Sequence, residues 1–421
     1  MTLLDDAMGI ADDLADLRHR LHERPEIGLK LQRTQQTVLE ALQGLGLEIT
    51  TGQEIGSVTA VLRGTGGPDD ARTAAPSPPT TLTDPQSDLP VVLLRADMDA
   101  LPVHEEVDVP YRSKMDGAMH ACGHDLHTAM LVGAARLLSE RRHTLAGDVV
   151  LMFQPGEEGF DGARKMIDGG VLGAAGRPAD SAFALHVMPN LVSRGQMASR
   201  PGAIMAASDG MFVTVHGAGG HGASPHLSRD PVPAVCEMVL AMQTVINRGV
   251  DAFEAVVVTV GSLHAGTRRN IIPETASFEA TVRSFDRSVR RRVKDLLQQA
   301  CRGIADAHGL EVDIEYIEEY PVTVNDVTAT GVAFEVATEL FGPSRTTVMP
   351  RPITGTEDFS RVIERVPGAM VLLGACLEGR DPLTAPSNHS PHAAFDDRTL
   401  PDGAALYAEL AVRQLTHPTH S

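Results

Sequence analysis

Within eight residues, His120-Ala121-Cys122-Gly123-His124-Asp125-Leu126-His127, the chain carries three imidazoles, a thiol and a carboxylate. Thiolate and neutral imidazole are ligands that zinc and its transition-metal neighbours accept. A buried segment would have to find partners for all of these groups, and a surface loop has no use for such density. Downstream, Glu157 and Glu158 stand side by side after an apolar run. On a turning backbone one carboxylate can bind metal while its neighbour faces a water as general base; Glu158 is assigned as the ligand and Glu157 as the base. His186 ends another apolar run, and His389 lies in Asn388-His389-Ser390-Pro391-His392. With Cys122, His124 and Glu158 they reach the number of ligands that one or two metals need. Asp97 and Asp99 have three open roles, as ligands, as partners of Arg95, or as groups that fix the tautomer of a metal-binding histidine; the third is favoured.

Such residues must be brought together by regular structure, and the apolar pattern suggests how. Val91–Leu94 leads to Asp97 and Asp99, Val149–Phe153 to Glu157 and Glu158, Ala182–Leu185 to His186, and Met370–Leu373 to the loop holding His389. Short continuous apolar runs that alternate with helical patterns describe a buried, largely parallel sheet, whose ligands bind beyond the carboxyl ends of the strands. Ahead of them, helices are expected from about 3 to 23 and 34 to 42, and a strand at 58–62. Residues 64–89 are rich in Gly, Pro, Thr and Asp and read as a flexible insertion on which no chemistry depends. From about Gly202 the texture changes to a β-α-β-β-α-β order, with one long strand over 271–285. The expected architecture is therefore α/β with two domains. A catalytic domain spans 1–201 and 320–421, the latter with helices at 329–341, 357–365 and 403–415. An α+β, ferredoxin-like domain is inserted at 202–319.

In the inserted part, the glycine-rich run from His216 to His226 lacks the Lys-Ser/Thr ending of a phosphate loop. It is either a hairpin loop or the carrier of a hydrogen-bond donor, His221, for a developing oxyanion. Asn270 and Arg283 are candidates for gripping a substrate carboxylate, Arg283 because its fork matches that anion. The balance of 36 Lys+Arg against 55 Asp+Glu gives −19, which argues against nucleic acid or an anionic membrane as partner. Met1–Asp6 is acidic where a secretory signal would be basic, and four scattered cysteines do not make a disulfide framework, so a cytoplasmic protein is expected.

Taken together, Arg95–Pro102, His120–Asp125, Gln154–Glu158, Leu185–Val187, Gly219–His221, Asn270–Pro273 and Asn388–His392 resemble the metal-dependent amidohydrolases of the aminoacylase and carboxypeptidase group. The branch resembled is that of hippurate hydrolases, N-acyl-amino-acid amidohydrolases and auxin-conjugate hydrolases. The resemblance implies two divalent ions per subunit, of zinc, manganese, cobalt or nickel. It implies that Cys122, His124, Glu158, His186 and His389 are their ligands, that Glu157 is the base, and that the inserted domain is a lid that also forms a homodimer. It further implies that His221 reaches the partner subunit's active site. Leu126 and Gly156 depart from the usual glycine and alanine, Gly222 stands where alanine is common, and Asp97 stands where the peptidase branches carry a histidine. The expected reaction is hydrolysis of the amide bond of a small N-acyl amino acid, with Glu157 taking the proton of the attacking water and returning it to the departing amine. A dipeptidase or carboxypeptidase is the alternative within hydrolases, and a non-catalytic metal-binding or interaction protein the alternative outside them.

Overall fold

A computed structural model describes residues 2–66 and 89–416. Most of the expected insertion at 64–89 lies outside the described residues. The chain divides into two compact units, one of Met1–Gly202, Val324–Pro350 and Arg361–Ser421, the other of Ala203–Thr323 and Arg351–Ser360.

The first unit is built on an eight-stranded mixed sheet. Its centre is four parallel strands in the order Asp148–Gln154, Val91–Asp97, Ser181–Met188 and Gly368–Gly374. Every residue of these four strands is buried, as expected of parallel strands covered on both faces. Glu48–Thr51 and Val58–Arg63 extend one side as antiparallel strands. On the other side Met197–Ser199 pairs antiparallel with Gly368–Gly374 and parallel with Thr346–Val348. Because the four central strands run the same way, their carboxyl ends share one edge, and the loops that follow carry the candidate residues. Val92, Leu94 and Ala96 share a core with helices Ala11–His22, His124–Glu140 and Leu400–Thr416, which contribute Leu14 and Leu17, Leu126 and Met130, and Leu406 and Tyr407.

Tyr407 links helix to sheet, since its hydroxyl accepts from the Leu185 N–H at 2.8 Å and donates to the Arg95 carbonyl at 2.6 Å. The first predicted helix is two, Leu3–Gly9 and Ala11–His22, broken at Ile10, where ψ is 12°. Glycine as the last residue of the first helix is a poor continuer, so the apolar periodicity survives while the backbone turns. The helix expected over 357–365 reduces to Ser360–Ile363.

In the second unit, four antiparallel strands lie in the order Val256–Ala265, Thr275–Ser284, Ala207–His216 and Glu311–Tyr320. Helices Pro231–Gly249 and Arg287–Ala307 cover one face and share a core with it, including Met211, Val213, Met238, Phe278, Val293 and Leu297. This is the ferredoxin-like order. The long strand expected over 271–285 is two pieces. Ile271–Ile272 pairs with Gly220–His221, and Thr275–Ser284 enters the main sheet, because Pro273 between them has no N–H to continue a ladder. Residues 351–360 join this unit through Ile353, whose N–H donates to the Ile204 carbonyl at 2.9 Å.

Candidate metal centre

Gly123 sets the geometry of the eight-residue cluster. It precedes helix His124–Glu140 at φ 88°, a left-handed conformation, and a Cβ there would lie 2.3 Å from Val187 Cγ2. Only glycine meets both conditions. The helix therefore starts abruptly, with Cys122 before the turn and His124 just after it, both buried.

The two carboxylates follow the strand Asp148–Gln154. Pro155 ends its ladder, and Gly156 takes φ 71°, where a Cβ would meet Leu29 Cδ2 at 2.5 Å. The turn is held by Asp99, whose side-chain oxygens accept from the Glu157 N–H at 3.0 Å and the Glu158 N–H at 3.1 Å. Its main-chain carbonyl accepts from His124 Nδ1 at 2.8 Å. One residue thus holds the turn that carries both carboxylates and engages Nδ1 of His124, so that Nε2 is the nitrogen left for a metal.

Cys122, His124, Glu158, His186 and His389 come together in the first unit. One ligand atom from each of Cys122, His124 and His186 falls within 4.8 Å of the others, and the same is true of Cys122, Glu158 and His389. Cys122 Sγ is 3.5 Å from His186 Nε2, and Glu158 Oε1 lies 3.1 Å from His389 Nε2 and 3.9 Å from His124 Nε2. Glu157, also buried, falls in a third such group with His124 and Glu158. His389 sits at φ 69°. A non-glycine residue there costs about 1–3 kcal/mol unless its surroundings hold it. Its N–H donates to the Ala121 carbonyl at 2.9 Å, and Asn388 Nδ2 donates to the carbonyls of Cys122 at 3.1 Å and Val187 at 3.3 Å. Asn388 thereby clamps three chain segments to one another, a role that no spacing in the sequence announces.

The protonation of the cluster is set by burial and by its neighbouring charges and hydrogen bonds. Burial, then the charge of Glu158, pushes the Cys122 thiol up, the reverse of what a ligand thiolate requires. Hydrogen bonding to Cys122 and then to Glu158 pushes His389 up to about 10. Burial lowers the His124 imidazole, but the Asp97 charge and the Asp99 hydrogen bond outweigh it and hold the group well above its ordinary value. Burial, then the nearby His127, holds His186 well below its ordinary value and so neutral, as a ligand must be. Among the described residues, His124 Nε2 is buried with no hydrogen-bond partner. Opposite charge from a divalent ion would favour the thiolate and release the histidine protons, and the sulfur, nitrogen and oxygen donors suit zinc and its neighbours.

Asp97 is buried and accepts from Arg95 Nη1 at 2.7 Å, while its other oxygen is 2.6 Å from His127 Nδ1. Burial raises its carboxyl, but Arg95 and then His124 outweigh that and keep it ionised. Of the three roles open to it, the structure places it between Arg95 and the histidines.

His221, Asn270 and Arg283 belong to the second unit. His221 lies exposed on the short ribbon opposite Ile271, and its neighbour Gly222 donates to the Asn270 carbonyl at 3.0 Å. Arg283 stands on the strand Thr275–Ser284, opposite Ser208 and Val257, with Nη1 buried and unpartnered.

Comparison with known proteins gives the family. The sequence matches peptidase family M20/M25/M40 over residues 93–413. It is 35% identical to thermostable carboxypeptidase 2 of Saccharolobus solfataricus, over 98% of each chain. It is 34% identical to the hippurate hydrolase of Campylobacter jejuni, over 99% of this chain and 100% of that one. The crystal structure of a Bacillus subtilis protein described as a dinuclear metal-binding peptidase of the M20 family superposes with a TM-score of 0.79, at 30% identity over 97% of this chain and 99% of that one. Matched over most of its length and by relatives from end to end, the chain belongs to peptidase family M20/M25/M40 and is a metal-dependent amidohydrolase.

Proposed function

We propose that the chain hydrolyses the amide bond of small N-acyl amino acids, releasing a carboxylic acid and an amino acid, with Glu157 as general base. The supporting observation is the carboxylate pair after Gln154, in which the largely covered Glu158 lies against His389 and His124 while the buried Glu157 falls in one group with His124 and Glu158. Cys122, His124, Glu158, His186 and His389 would hold two divalent ions. When bound, such ions polarise the amide carbonyl and acidify water. Glu157 takes the proton of the attacking water and returns it to the departing amine nitrogen. Asp99 holds the turn that carries the two carboxylates. His221 is assigned to hydrogen-bond the developing oxyanion, and Asn270 and Arg283 to hold the substrate carboxylate. The chain would act as a cytoplasmic homodimer joined through the inserted domain, and among the described residues no helix is long and apolar enough to cross a membrane. Sedimentation giving an active monomer would reject the dimer.

The test is Glu157→Gln with benzoylglycine as substrate and metal content measured alongside. Hydrolysis should fall by about 10²–10⁴-fold, the usual contribution of a positioned base, with metal retained; near-normal turnover would reject the mechanism. The carboxypeptidase named among the relatives supports a second reading. Acyl amino acids and dipeptides assayed in parallel, on protein loaded separately with zinc, manganese, cobalt and nickel, decide between the two.

A further inference from the structure

We propose that His127 is a positioning residue that ties the Asp97 carboxylate to the main chain at Val187 and so sets the direction in which His186 presents its Nε2. The proposal rests on the reading of His186 and Cys122 as metal ligands.

His127 is fully buried and its ring is committed on both sides. Val187 donates its N–H to His127 Nε2 at 2.8 Å, so Nε2 carries the lone pair and Nδ1 the proton. That proton is donated to Asp97 Oδ1 at 2.6 Å. A single tautomer satisfies both contacts. His127 therefore has no lone pair for a metal, although it falls with Asp97 and His124 in a group of metal-ligating type.

The sheet explains why a side chain is needed. Pairing between Val91–Asp97 and Ser181–Met188 ends at Arg95 opposite Ala184. Beyond that point the Val187 N–H meets no neighbouring strand on this side, and His127 supplies the acceptor. The other end of the same residue aims His186, whose Nδ1 donates to the Val187 carbonyl at 2.9 Å. That carbonyl also accepts from Asn388. The Val187 side chain fills the space that the missing Cβ of Gly123 leaves, where a built Cβ would lie 2.3 Å from Val187 Cγ2. A rigid series runs from Arg95 through Asp97 and His127 to Val187, and it delivers His186 Nε2 to 3.5 Å from Cys122 Sγ.

Metal-stripped full-length protein, titrated calorimetrically with zinc, tests this with wild type, His127→Leu and His127→Gln. Wild type should take up two equivalents. In His127→Leu the affinity for one equivalent should fall about 10–100-fold, as for loss of a group that orients a ligand. His127→Gln, which keeps one donor and one acceptor, should recover most of it. A purely structural His127 would lower the unfolding temperature and leave both affinities at wild-type values, which overturns the proposal. If the leucine variant does not fold, the ¹⁵N spectrum of histidine-labelled wild type, assigned by difference with His127→Gln, carries the test. A proton on Nδ1 supports the proposal, and one on Nε2 overturns it. Wild type that binds no zinc overturns the ligand reading and this proposal with it; two wild-type equivalents with unchanged His127→Leu affinities overturn the positioning role alone.

Discussion

In the proposed mechanism Cys122 serves binding and Glu157 serves chemistry. The thiol is buried beside Glu158 and held in its protonated form until a cation arrives. Cys122→Ser should therefore weaken metal retention, read as faster loss of metal to a chelator, and leave the unfolding temperature of the metal-free protein close to wild type. Unchanged retention would remove Cys122 from the ligand set. The same division predicts that Glu157→Gln and Cys122→Ser fail differently, the first metal-loaded and inactive, the second short of metal. Single residues could be assigned to these tasks because each task demands a residue type: a soft donor for the metal, a carboxylate for the proton.

Two elements carry the arrangement. The first is the turn at Gly123. Gly123→Ala forces a Cβ into the 2.3 Å approach to Val187 in a left-handed conformation, and should lower both unfolding temperature and zinc affinity. Loss of stability alone, with affinity intact, would mean that the turn does not aim the ligands. The second is helix His124–Glu140, whose first turn is anchored by Asp125 to Arg18 Nε and His22 Nδ1, both at 2.8 Å, with His22 Nε2 3.1 Å from Glu105. Breaking a buried pair of this kind costs about 3–5 kcal/mol, so Asp125→Asn should depress the unfolding temperature strongly. Burial lowers the His22 imidazole, but Asp125 outweighs it and raises the group overall. A raised histidine contributes stability fully below its ordinary value of about 6.5 and loses it as pH rises through the folded value. The stability difference between wild type and His22→Gln should therefore be largest on the acid side and shrink toward alkaline pH. A difference that grows with pH would contradict the assignment.

At the scale of the molecule, two units each with their own core imply two unfolding events. Metal bound in the first unit stabilises it by mass action. In scanning calorimetry, saturating zinc should move one transition upward and leave the other in place. A shift of both by the same amount would show that the units unfold as one.

The sequence alone determined what depends on residue type and local period. Four apolar runs placed the parallel strands, and the candidate donors Glu158 and His186 stand just past one of them and within another. The break at Ile10 and the interruption at Pro273 were missed because apolar periodicity continues across them. Three-dimensional contact decided the rest. That Asp99 holds the turn of Glu157 and Glu158, that Asn388 clamps three segments, and that His127 accepts from Val187 are pairings between residues 58 to 266 positions apart, or 60 for His127. Pattern along the chain cannot specify them, because a hydrogen bond is fixed by direction and distance in space. Where a single residue type was indispensable the chain announced it; where a partner had only to be within reach, the fold chose it.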